Sequence, residues 1–90
     1  MTKLEKARLI INEVDKKMLD LFLKRMDAAK MVGEFKKENN LPIFDAKREK
    51  EIIDRQLKNV PDELKDEYLK FYTSLITVSK EYQEKIIKKS

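Results

Sequence analysis

Arg25 occupies a position where an apolar side chain is expected. Steps of three and four residues along the first segment give Leu4, Ala7, Ile11, Val14, Met18 and Leu21, then Arg25, then Ala28, Val32 and Phe35. Every other member of the series is apolar, as the buried stripe of an amphipathic helix requires. An unpaired buried guanidinium is very costly, so either a protein carboxylate or a ligand must answer Arg25. Lys36 follows eleven residues later. Eleven helical steps of about 100° return to within about 20° of the same direction, so the two cations point the same way. Farther along, Asp45, Arg48 and Glu49 are spaced i, i+3, i+4 and form one cluster, while Ser79 and Gln83 lie four apart on one stripe.

A site that holds Arg25, Lys36 and Arg48 with few acids suits a small dianion, because guanidinium forks match carboxylates bidentately. The chain contains no His and no Cys. That removes thiolate nucleophiles, disulfides, Cys/His zinc sites and the usual neutral-pH proton shuttle. What remains is orientation of a bound molecule and electrostatic stabilisation of charge that develops in a transition state. No metal or cofactor is expected. Each residue also has a plain structural reading. A charge beside an apolar seam can snorkel to solvent, Asp45 can be an N-cap alone, and i, i+4 pairs arise by chance on highly charged helices.

The elements that must position these residues are helices. One Gly, two Pro and 42% charged residues suit a nearly all-helical chain and argue against turn-rich sheets. A first helix is expected over about residues 2–39, with Thr2 as N-cap, which at 1.5 Å per residue is about 55 Å long. It stops at Asn39-Asn40-Leu41-Pro42, where Asn tolerates the left-handed conformation and Leu41 before Pro42 is pushed to an extended one. Gly33 inside it costs about 1 kcal/mol relative to Ala, so it calls for a reason such as close approach by another group. A second helix is expected over about 45–58, with Glu49, Ile52, Ile53 and Leu57 inward. A third over about 61–88 opens on Pro61 and carries Tyr72, Ile76, Ser79, Gln83 and Ile86 inward.

Ninety residues allow one domain, spanning 1–90, and a chain this short buries a modest fraction of its surface alone, so the long first helix calls for a second chain. A net charge of +4 comes from 21 Lys and Arg mixed with 17 Asp and Glu along the whole chain. No basic block with interleaved aromatics forms, so no nucleic-acid partner is expected. No run approaches the roughly 20 apolar residues of a membrane span, and the N-terminal stretch lacks the apolar core of a secretion signal. The expectation is a cytoplasmic protein with no membrane partner.

Arg8, Asp15, Arg25, Gly33, Lys36, then Pro42 followed by Asp45-Ala46-Lys47-Arg48-Glu49, then Ser79 and Gln83, together resemble the pattern of the all-helical chorismate mutases. The resemblance runs from about Arg8 to Gln83, in order and spacing. It implies an all-α, three-helix protomer in an intertwined homodimer that converts chorismate to prephenate, a step of aromatic amino-acid biosynthesis, by a Claisen rearrangement. By the resemblance, Arg25 and Arg48 hold the substrate carboxylates with Arg8 of a second protomer, and Lys36 reaches a carboxylate and the ether oxygen. Gln83 bonds the same ether oxygen, Glu49 and the neighbourhood of Asp45 hold the ring hydroxyl, and Ser79 assists at a carboxylate. A concerted rearrangement needs no nucleophile, general base or cofactor, which agrees with the residue census. Arg8 and Arg25 stand 17 positions apart on one helix, about 25 Å at 1.5 Å per residue, so they can serve one small molecule only from different chains.

Two other readings stay open on sequence alone. An isochorismate pyruvate lyase of the same fold uses a similar cationic pocket. A helical dimerisation or adaptor module without catalysis accounts for length, charge and stripe, but not for Arg25, Lys36 and Gln83 turned inward together.

Overall fold

The computed structural model describes residues 1–89. Helix α1 spans Lys3–Glu38 and α2 spans Ala46–Leu57; a short 3-10 turn over Asp62–Leu64 leads into α3, Lys65–Lys88. Each boundary has a local chemical cause. Thr2 is extended and forms a capping box, its hydroxyl accepting from the Glu5 N–H at 3.1 Å while the Glu5 carboxylate accepts from the Thr2 N–H at 3.2 Å.

At the other end of α1, Asn40 takes the left-handed conformation with φ 53°. The Asn40 N–H then donates to Lys37 O at 3.4 Å and the Leu41 N–H to Lys36 O at 2.9 Å. This is the paired hydrogen-bond closure of a Schellman stop, with Asn in place of the usual Gly. Asp45 caps α2 by accepting from the Arg48 N–H at 3.0 Å. The third helix departs from the expected start at residue 61. Pro61 precedes the 3-10 turn, and Leu64 at φ −114°, ψ 1° separates that turn from α3, so α-helix begins only at Lys65.

Side-chain pairs give the directions of the helices. Arg25, Gly33 and Lys37 meet Ser79, Gln83 and Lys89 in that order, so the second half of α1 runs parallel to α3. Glu49 and Gln56 meet Lys80 and Tyr68, so α2 runs antiparallel to α3. The core lies along the α1–α3 seam, where Ala29 of α1 faces Tyr72, Ile76, Ser79 and Gln83 of α3, all buried.

The seam corrects the sequence reading of α1. Within the protomer the buried positions are Ala29 and Gly33, one step round the helix from the expected Ala28 and Val32. The first half of the stripe is bare, with Leu4, Ile11, Val14, Met18 and Leu21 between 44% and 63% exposed. In a molecule 55 × 27 × 14 Å, α1 extends well past the two shorter helices. Its apolar periodicity therefore covers two different stretches, one packed within the protomer near Ala29 and Gly33 and one exposed along the projecting half.

Candidate active site

The three helices enclose a pocket of about 430 Å³ lined by Arg25 and Lys36 of α1, Asp45, Arg48, Glu49 and Arg55 at and along α2, and Ser79, Lys80 and Gln83 of α3. Seven of the eight residues singled out from sequence thus converge. Arg8 is the exception: it lies on the projecting half of α1 and does not line this pocket. A larger depression of about 640 Å³, between the C-terminal ends of α1 and α3, is lined by Lys30, Glu34, Lys37, Glu38, Lys85 and others. It holds none of the singled-out residues, and its four lysines face two glutamates.

Arg25 is answered by neutral groups. Its Nη1 donates to Ser79 Oγ at 2.5 Å and its Nη2 to the Tyr72 hydroxyl at 3.4 Å, with the guanidinium carbon 5.7 Å from the centre of the Tyr72 ring. The Ser79 hydroxyl donates to Leu75 O at 3.0 Å, so its oxygen is turned toward Arg25 as an acceptor and is not poised as a nucleophile. Among the described residues, the ion pairs are Lys17–Glu13, Lys50–Asp54, Lys65–Asp62 and Lys80–Glu49. None involves Arg25, Lys36 or Arg48.

Lys36 donates to Ile43 O at 2.9 Å, which ties the segment before α2 to α1 and holds the ammonium at the pocket. An ammonium carries three donors, so one protein acceptor leaves others for a ligand. Gln83 is buried, and its Oε1 has no hydrogen-bond partner among the described residues. A buried polar atom without a partner is costly, and the residue that carries it lines the cationic pocket. Amide oxygen and nitrogen interchange by a half-turn, so the group can present either an acceptor or a donor to an incoming molecule. Asp45 does serve as an N-cap, which accounts for its Oδ1.

Several lining residues have no clear mark in the sequence. Tyr72 had been assigned only to the apolar side of α3, yet its hydroxyl and ring face contact Arg25. Beyond it, Tyr68 donates to Gln56 Oε1, and burial, with a smaller effect of the Tyr72 phenol, pushes the Tyr68 hydroxyl above its usual pKa, so it stays a neutral donor. Lys80 pairs with Glu49, and Arg55 lines the far wall.

Five cations therefore face two carboxylates in the pocket, and one of those carboxylates is already engaged as a cap. Chemically, the arrangement suits a small dianion, which it can orient while offering cations and an amide to charge that appears during reaction.

Comparison with known proteins agrees with that chemistry. The family model described as chorismate mutase type II matches residues 7–84, a span that includes all eight singled-out positions. A chorismate mutase from Methanocaldococcus jannaschii is 36% identical over 90 residues, covering 98% of this chain and 91% of that protein. A bifunctional chorismate mutase/prephenate dehydratase from Aquifex aeolicus is 38% identical over 58 residues, 64% of this chain and 16% of that protein. Among solved structures, the crystal structure of chorismate mutase from Helicobacter pylori in complex with prephenate is similar with a TM-score of 0.84 and 33% identity, covering 97% of this chain and 96% of that one.

Proposed function

The chain belongs to the chorismate mutase type II family, and from that premise we propose how its pocket carries out the rearrangement of chorismate to prephenate. The observation that carries the reading is Arg25, a guanidinium on an otherwise apolar stripe whose protein partners are all neutral. The missing counter-charge is a carboxylate of the substrate.

Arg25 and Arg48 bind the two carboxylates by their guanidinium forks, and Ser79, hydrogen-bonded to Arg25, fixes the plane of that fork. Binding folds the substrate into the conformer in which the bond-forming carbons approach each other, which removes part of the entropic barrier. As the C–O bond breaks, negative charge grows on the ether oxygen. Lys36 donates to that oxygen, and Gln83, with its amide nitrogen turned to the pocket, donates from the other side. Glu49, with Asp45 beside it, accepts from the ring hydroxyl.

The site is completed by Arg8 of a second copy of the chain. The bare stripe from Leu4 to Leu21 supports that pairing, as does the continuous α1 helix, which keeps Arg8 about 25 Å from the Arg25 of its own chain at 1.5 Å per residue. No described helix is long and apolar enough to cross a membrane, and we place the reaction in the cytoplasm.

The test is incubation with chorismate, following its ultraviolet absorbance and identifying the product. Prephenate formation that is lost in Arg25→Ala supports the assignment of the pocket. Release of pyruvate with salicylate from isochorismate, offered in parallel, would instead indicate lyase chemistry, and unchanged turnover in Arg25→Ala would move the reaction elsewhere on the chain.

A further inference from the structure

Lys80 reaches across the pocket from α3 to the first turn of α2, its Nζ 3.4 Å from Glu49 Oε1 and 3.3 Å from Oε2. The pair is sheltered, with the Lys80 and Glu49 side chains 29% and 24% exposed, whereas every other ion pair of the described residues includes a side chain at least 70% exposed. The same ammonium lies 4.7 Å from the centre of the Phe44 ring. Phe44 immediately precedes the Asp45 cap, so one cation joins α3, the start of α2 and the segment leading into it. Exposed pairs contribute little and hold no fixed geometry. A sheltered one restrains both partners.

We infer that Lys80 is a positioning residue for the rearrangement: it holds the Glu49 carboxylate in the orientation that accepts a hydrogen bond from the ring hydroxyl of the substrate. The inference rests on the role given to Glu49 above. An ionised carboxylate offers about four lone-pair directions. An ammonium nearly equidistant from both oxygens occupies the side between them and leaves outer directions for the hydroxyl. The other cations lining the same pocket are Arg25, Lys36, Arg48 and Arg55, of which Arg25 and Arg48 must receive the substrate carboxylates and Lys36 the ether oxygen. A Glu49 released from Lys80 would swing toward them and compete with the dianion. Lys80 thus separates the acceptor for the hydroxyl from the donors for the carboxylates, and so favours a substrate that carries both groups.

The experiment measures kcat and KM for wild type, Lys80→Ala and Lys80→Arg on chorismate and on an analogue lacking the ring hydroxyl, with thermal unfolding and oligomeric state as controls. Lys80→Ala should lose about tenfold in kcat/KM on chorismate, the scale of one hydrogen bond to a charged group. On the deoxy analogue it should lose less than about twofold, and Lys80→Arg should recover most of the activity on chorismate. Equal losses on both substrates would overturn the inference, because Lys80 would then act as a bulk charge or through the fold; no loss on either would overturn it as well. If Lys80→Ala does not fold, Lys80→Met keeps the apolar stem and serves in the same comparison. Glu49→Ala on the same two substrates separates the two levels of the argument. A hydroxyl-dependent loss there with a hydroxyl-independent one at Lys80 removes only this inference, whereas a hydroxyl-independent loss at Glu49 removes the role of Glu49 and this inference with it.

Discussion

Gly33 and Gln83 mark a close crossing of α1 and α3: a Cβ added to Gly33 would lie 3.4 Å from both Cα and Cγ of Gln83 and 3.5 Å from its Cβ. The single glycine of the chain thus sits against the stem of the residue that supplies the amide to the pocket. A small residue at this place in the 36-residue helix suits that packing.

Those distances are ordinary van der Waals contact, so Gly33→Ala should be accepted. Alanine favours helix by about 1 kcal/mol over glycine, and the variant should equal or exceed wild type in denaturant stability by up to that amount. Gly33→Val adds two methyl groups against the Gln83 stem and should cost about 1–3 kcal/mol, with a fall in kcat because the amide shifts. Parallel denaturation curves and rates check this. A loss of stability in Gly33→Ala as large as in Gly33→Val would mean the two helices lie closer than they do here.

Much of this was legible in the sequence because local chemistry determined it. Thr2 with Glu5, Asn40 before Leu41-Pro42, and Asp45 with Arg48 each close a helix end through short-range hydrogen bonds, and such signals need no knowledge of the fold. Arg25 and Gly33 were legible for the opposite reason, as residues that break a local rule and so point to a tertiary cause. Lys80 was not legible. On a helix this rich in lysine, a pocket-facing ammonium has no mark that a solvated one lacks, and its partner Glu49 is 31 residues away. The α1 stripe pointed to Ala28 and Val32, whereas the seam buries Ala29 and Gly33, because apolar periodicity gives the inward face of a helix only to within about one residue.

That bare face leads to a concentration test. The projecting half of α1 exposes Leu4, Ile11, Val14, Met18 and Leu21 along one side, an apolar stripe of the kind that marks a protein–protein contact. Unfolding midpoints should therefore rise with protein concentration, as mass action demands of a dimer. Sedimentation that finds a monomer with full activity at assay concentration would contradict the shared site.

Shared sites also predict complementation. Arg8→Ala and Arg25→Ala homodimers should each lose about 10²–10³-fold in kcat/KM, the usual loss for one charge-stabilising donor. In a mixed dimer, the pocket of the Arg8→Ala chain has its own Arg25 and receives Arg8 from the other subunit, so it is complete; the second pocket lacks both. Mixing the two inactive proteins under conditions of subunit exchange should restore up to about half the activity per heterodimer. Proven exchange without recovery would show that Arg8 does not act across an interface.

The pH dependence turns on Gln83, whose amide is buried and carries an oxygen without a protein partner. With no His in the chain, no side chain has an ordinary pKa between about pH 5.5 and 8, and the neutral amide can donate to the ether oxygen throughout. Wild-type activity should be nearly flat across that range. Gln83→Glu changes the donor. Protonated Glu donates much as Gln does, whereas ionised Glu accepts only and repels the charge that grows on oxygen. Activity of the variant should therefore fall as pH rises through the pKa of the new carboxyl. Burial raises that pKa and the Lys36 ammonium lining the same pocket lowers it, so the direction of the profile is the prediction. Profiles measured at saturating chorismate for both proteins decide the matter: a variant whose curve keeps the wild-type shape would mean that residue 83 does not face the reacting oxygen, and the donor opposite Lys36 would have to be sought elsewhere on the pocket wall.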